Sequence, residues 1–144
     1  MALRAEDVAL PVEVGPRVVV PVGGVDAATL RALWYASSIA SHVTILQLRG
    51  GENALRVRRR LRELGIARDA EFVEPRPGGD AIDRVATTLD ELSADDPDRR
   101  IAVIIPSVVP RRAWLLPLHL GSIRMKLRLL TRRNTAVIDV PYHV

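Results

Sequence analysis

Apolar residues fall along this chain into short, nearly continuous runs that alternate with longer one-sided stretches. Arg17–Val22, Val43–Leu48, Ala70–Glu74, Ile101–Ile105 and Thr135–Val140 are the short runs. Continuous apolar runs of this length predict strands buried on both faces of a parallel sheet. Between them, apolar residues recur at intervals of three and four, which predicts helices over about 27–41, 52–64, 80–93 and 113–132. In the first helix the repeat passes through Ala32, Tyr35, Ala36, Ile39 and Ala40, in the second through Ala54, Val57, Leu61 and Leu64, and in the third through Ile82, Val85, Ala86, Leu89 and Leu92. In the fourth, Leu116, Leu120, Ile123, Leu127 and Leu130 form the apolar side, and Pro117 breaks it or delays its start. Asp26 stands where an N-cap belongs, and Gly65 where a helix stops. Pro106–Arg112 reads as a loop, and Pro141 closes the fifth strand.

Five strands interleaved with helices imply right-handed crossovers and an α/β, doubly wound, five-stranded parallel sheet of order 3-2-1-4-5. Residues 1–16, of mixed charge and without a period, read as a leader or linker, and 17–144 as one domain. In such a sheet ligands bind beyond the carboxyl ends of the strands, where strand order reverses. That directs attention to two loops, Pro21–Asp26 and Pro106–Arg112.

Composition narrows the chemistry. Cysteine is absent, so disulfides, thiol catalysis and cysteine-zinc sites are excluded. His42, His119 and His143 are far apart in sequence, and Ser107 lies outside any Gly-x-Ser-x-Gly elbow. The expectation is no catalytic residue, no metal ligand, no required cofactor and no enzyme. The five aromatics offer little to stack nucleic-acid bases. No apolar run reaches the roughly 18–20 residues that span a bilayer, and the start has no signal-peptide core. The polypeptide therefore reads as cytoplasmic.

Net charge is only +4, yet almost all of the 21 basic residues are arginine. Arginine's planar fork matches phosphate. Arg111 and Arg112, with Ser107 before them and Ser122 after, are a candidate phosphate-binding set, to which Pro21, Val22, Gly23 and Gly24 add small residues at a helix start. A tight turn at Gly23–Gly24 and solvated surface arginines remain the alternatives. Arg124, Arg128 and Arg132 form a basic stripe whose simplest reading is a solvated helix face, with a contact to anionic lipid or an acidic partner as the other.

Three segments carry a resemblance. Arg17-Val-Val-Val-Pro-Val-Gly-Gly24, Ile104-Ile-Pro-Ser-Val-Val-Pro-Arg-Arg-Ala-Trp-Leu115 and Asp139-Val-Pro-Tyr-His-Val144 resemble the C-terminal cytosolic domain of amino acid–polyamine–organocation superfamily permeases, especially actinobacterial ones. The resemblance implies a universal-stress-protein-like domain attached to the membrane domain of a permease at the inner face of the plasma membrane, often dimeric. Some relatives are potassium importers whose cytosolic domain binds cyclic di-AMP, which stops transport. ATP-binding stress proteins carry Gly-x-x-Gly after strand four, where Ser107 and Pro110 stand here. The leading expectation is thus a regulatory domain binding a nucleotide, cyclic di-AMP before ATP, through Pro21–Gly24, Ser107, Arg111, Arg112 and Ser122. The alternatives are a dimerisation module that binds no nucleotide and a free-standing ATP-binding stress protein. A homodimer through Thr135–Val140 is expected because an apolar edge strand invites pairing.

Overall fold

Val18, Val19 and Val20 occupy the middle of the sheet, and their side chains divide between two cores. The computed structural model describes residues 15–74, 78–109, 124–125, 128–129 and 132–143. Its elements are β1 (Arg17–Val22), α1 (Ala27–Ile39), β2 (Val43–Gln47), α2 (Gly51–Leu64), β3 (Glu71–Val73), α3 (Ala81–Asp95), β4 (Ile101–Val109) and β5 (Thr135–His143). Every strand pair is parallel, in the order β3-β2-β1-β4-β5. This is the doubly wound sheet that the alternating pattern predicts.

Successive strand residues point to opposite faces, so β1 feeds both cores. Val18, Val20 and Val22 pack with Leu33, Ala36, Val57, Leu61 and Ile104 on the α1–α2 side. Val19 packs with Val85, Leu89, Leu92, Val103 and Leu129 on the α3 side. Helices cover both faces, as a parallel sheet requires.

Local chemistry sets the helix ends. The Asp26 carboxylate accepts from the Thr29 amide at 2.7 Å and starts α1, and Asp80 does the same for α3 through the Asp83 amide at 2.9 Å. Gly65 adopts φ +67 and its N–H reaches Arg62 and Leu61 carbonyls, the left-handed ending that suits glycine. Gln47, buried at the end of β2, donates to the Ala54 carbonyl at 2.8 Å and accepts from Arg58 Nε at 3.4 Å. The Arg58 guanidinium also lies 5.0 Å from the Phe72 ring centre, half-buried rather than projecting into water.

Several expectations are corrected. β4 does not stop at Ile105: the segment read as a loop from Pro106 continues the strand to Val109, paired in register with β5 through Val109↔His143. β5 likewise runs past Val140 and contains Pro141. α1 buries Ala28, Thr29, Ala32, Leu33 and Ala36, leaving Tyr35 and Ile39 exposed, so its inner face is rotated from the predicted one. Leu64 is exposed too. Of the fourth helix, residues 124, 125, 128 and 129 are helical, with Leu129 buried and Met125 packed beside it. Its predicted bounds and Pro117 lie outside the described residues, as does the leader up to residue 14.

Candidate functional site at the switch point of the sheet

β1 and β4 are the neighbours at which strand order reverses, and their pairing is short. It is confined to Arg17↔Ile101, Val18↔Ala102 and Val19↔Val103. β1 stays with β2 as far as Val22↔Gln47, and β4 stays with β5 to its end. The hydrogen-bonded ladder between β1 and β4 therefore stops short of the carboxyl ends of the strands, along a seam beside which Val20, Val22 and Ile104 still share one core.

Two prolines account for the early end of this ladder. In a parallel ladder each residue turns both its N–H and its C=O to one neighbour, and the next residue turns to the other. The Arg17 amide donates to the Arg100 carbonyl at 2.8 Å, and the Leu48 amide donates to the Val22 carbonyl at 2.9 Å. Arg17, Val19 and Pro21 thus face β4, while Val18, Val20 and Val22 face β2. The next two bonds of the β1–β4 ladder would run from residue 21 N–H to the Ile104 carbonyl, and from residue 106 N–H to the Pro21 carbonyl. Pro21 and Pro106 both lack that hydrogen. The ladder ends where both donors are missing, and the Pro21 and Ile104 carbonyls have no ladder donor.

Continuing the register sets Val22 level with Pro106, and Gly23 with Ser107. Pro21 and Val22 are buried in the last turn of the strand, Gly23 is half-buried and Gly24 is exposed. A Cβ on Gly24 would meet nothing within 4 Å, and one on Gly23 would make only ordinary contact with Leu48. Neither glycine is forced by a positive φ. Their effect is to leave the backbone bare beside the seam. The start of α1 is less open to anions than its position suggests, because the Asp26 carboxylate already sits there.

The structure brings Pro21, Val22, Gly23, Gly24 and Ser107 to the two sides of this seam. Ser107 lies within β4, opposite Pro141, rather than in a loop. Arg111, Arg112 and Ser122 lie outside the described residues. Among the described residues no three His, Cys, Asp or Glu side chains are grouped to hold a metal ion, and no helix is long and apolar enough to cross a membrane.

One arrangement escaped the sequence reading. Asp80, Ile82 and Asp83 at the start of α3 line a cavity of about 400 Å³ with Arg124 and Arg128. Arg132, further along the same stripe, pairs with Asp90 of α3. The stripe read as solvated therefore faces carboxylates. The only sequence signal was the matching three- and four-residue spacing of acids on α3 and arginines on the fourth helix, which says nothing of their meeting in space. Two carboxylates beside two guanidiniums balance charge locally, so this cavity offers a phosphate less than the bare backbone at the seam does.

No curated protein matches the chain. Residues 13–142 match the family described as the KimA potassium transporter C-terminal domain, a transporter family and not an enzyme family. That span takes in all of the sheet but His143, with both sides of the seam, and the chain belongs to the KimA potassium transporter C-terminal domain family.

Proposed function

We propose that this domain is the cytosolic regulatory part of a potassium permease, held at the inner face of the plasma membrane, and that a nucleotide second messenger binds at the β1–β4 seam to control transport. Cyclic di-AMP is the ligand of choice. The observation that carries the reading is the seam itself, where Pro21 and Pro106 end the β1–β4 ladder and leave two carbonyls without ladder donors, at the position where doubly wound sheets take ligands. The chemistry offered there is two-sided. The Pro21 and Ile104 carbonyls are acceptors suited to a nucleobase amino group, while bare amides at Gly23–Gly24 suit phosphate. Arg111 and Arg112, directly after β4 in sequence, would supply the guanidinium forks. ATP is the weaker candidate, because Ser107 and Pro110 replace glycines of the stress-protein phosphate loop.

The test is thermal unfolding with a panel of nucleotides. At 100 times its dissociation constant a ligand adds about 2.7 kcal/mol, which raises the midpoint by roughly 10 °C. Cyclic di-AMP is expected to give that rise, and Arg111→Ala with Arg112→Ala to remove it. A rise with ATP alone would restore the stress-protein reading, and no rise with any nucleotide would end the nucleotide proposal.

A second feature favours homodimerisation through β5. The Ile101 amide donates to the Asn134 carbonyl at 2.8 Å, which by alternation turns Thr135, Val137, Asp139 and Pro141 away from β4. Among the described residues no strand pairs with that side. Pro141, whose missing N–H falls on the open side, guards only the end of the edge, so pairing would centre on Thr135–Asp139. Val137 also packs against the α3-side core, so the cleanest variant is Val137→Pro, which removes an edge donor and keeps an apolar side chain. Light scattering at micromolar concentration is expected to give a dimer for the wild type and a monomer for the variant. A monomeric wild type overturns the dimer.

A further inference from the structure

Surface helices usually meet water with mixed charge. α2 meets it with an excess of positive charge, carrying five arginines against two glutamates. Arg56, Arg59 and Arg62 are exposed and make no ion pair among the described residues. Leu55 stands among them, 58% exposed. α1, on the same face of the sheet, adds exposed Arg31 and Trp34, the indole 71% exposed. Ser37 lines a cleft with Ala67, Arg68, Asp69 and Ala70, the connection that follows α2. Trp34 lies on the outer side of α1, nearly opposite its buried face of Ala28, Thr29, Ala32, Leu33 and Ala36, and about 60° from Ser37 around the helix.

The opposite layer is close to charge-balanced. α3 carries four carboxylates and one arginine. The arginines beside it are matched, Arg132 to Asp90 and Arg124 and Arg128 around a cavity shared with Asp80 and Asp83.

We infer that the outer face of α1 and α2 docks on an anionic bilayer surface. Arg31, Arg56, Arg59 and Arg62 meet lipid phosphates, and Trp34 and Leu55 enter the headgroup layer. Guanidinium forks suit phosphate, tryptophan concentrates at membrane–water boundaries, and basic clusters are drawn to anionic leaflets. The α3 layer, its carboxylates matched by Arg124, Arg128 and Arg132, offers the same surface no comparable attraction, which favours the orientation with α1 and α2 against the bilayer. A nucleic acid fits this face less well, because among the described residues Trp34 and Tyr35 are the only exposed aromatics of α1 and α2, and they are adjacent on one helix rather than spread along a groove where successive bases could stack. The inference rests on the proposed attachment to a permease only for the nearness of a bilayer. Vesicle binding is measured without nucleotide, so it succeeds or fails independently of the seam.

The chain has two tryptophans, so Trp114→Phe leaves Trp34 as the sole reporter. Sedimentation with vesicles is expected to show binding to phosphatidylcholine mixed with phosphatidylglycerol and none to phosphatidylcholine alone. Binding should weaken as salt shortens the screening length, and Trp34 emission should shift to the blue on the anionic vesicles. Each arginine near such a surface contributes about fivefold in affinity, so Arg56→Glu, Arg59→Glu and Arg62→Glu together should cost roughly a hundredfold or more. These side chains are exposed, and an unchanged circular dichroism spectrum and melting midpoint will show that the variant folds. Trp34→Ser should weaken binding while leaving its salt dependence in place. No binding to anionic vesicles, equal binding to neutral ones, a triple variant that binds like the wild type, or bound protein with unshifted Trp34 emission would each overturn the inference.

Discussion

Leu89→Ala is expected to lower the free energy of unfolding by about 2–5 kcal/mol, a large part of the roughly 5–15 kcal/mol typical of a domain. Leu89 is fully buried midway along α3 and packs in the core cluster with Val85, Leu92, Val19, Val103 and Leu129. Two features put the cost toward the upper end. The cluster is built of branched aliphatic side chains on a rigid sheet, which collapse poorly around a void. The chain also has only five aromatic residues, and among the described residues none belongs to this cluster, which leaves little large side chain nearby to fill a void. A urea titration should move the midpoint with little change in slope. Trp34→Ala in the same assay should stay within about 0.5 kcal/mol, because that side chain touches mostly water. A loss below about 1 kcal/mol at Leu89 would mean that α3 is not anchored by this stripe.

The α3 stripe was legible in the sequence because its other face is polar: Asp83, Thr87, Asp90 and Glu91 leave one apolar side to choose. α1 has no such contrast. Leu30, Leu33, Trp34, Tyr35 and Ile39 surround the helix almost completely, so a repeat through Tyr35 and Ile39 fits the spacing as well as the true one through Thr29, Leu33 and Ala36. Periodicity finds a helix there but does not orient it.

The strand ends failed for a different reason. Pro106 and Pro141 read as terminators because proline donates no ladder hydrogen bond. Whether that matters depends on which neighbour the residue faces, and parity is set by pairing rather than by local sequence. Pro141 faces the open edge of β5 and Pro106 faces the seam, so the β4–β5 ladder passes both without losing a bond. Of the candidate site, the location at the β1–β4 switch point was legible from topology alone. The feature that ends the ladder there was not, since it needs the register that puts Pro21 and Pro106 at the next two donor positions of one ladder.

Pro21→Val combined with Pro106→Val is expected to close the seam and abolish nucleotide binding. The two new amides would fall opposite the Ile104 and Pro21-position carbonyls, extending the β1–β4 ladder past Val19↔Val103. Each added bond is worth about 0.5–1.5 kcal/mol net. Losing two prolines gives back about 0.4–1 kcal/mol apiece through the freer unfolded chain. The two contributions nearly cancel, so stability without ligand should change by only about 1 kcal/mol. The roughly 10 °C rise with cyclic di-AMP should vanish entirely. That pairing of outcomes separates closure from simple damage, which would lower the unliganded midpoint as well. Hydrogen exchange supplies the direct readout, because positions 21 and 106 carry no exchangeable amide in the wild type. In the double variant their amides should be as slow as those of the central strands, while either single variant should gain only one protected amide and keep part of its affinity. Fast exchange at both positions would show that something other than the missing donors holds β1 and β4 apart. Unaltered cyclic di-AMP binding with both amides protected would remove the ligand from the seam, and would turn attention to the cavity that Arg124 and Arg128 share with Asp80 and Asp83.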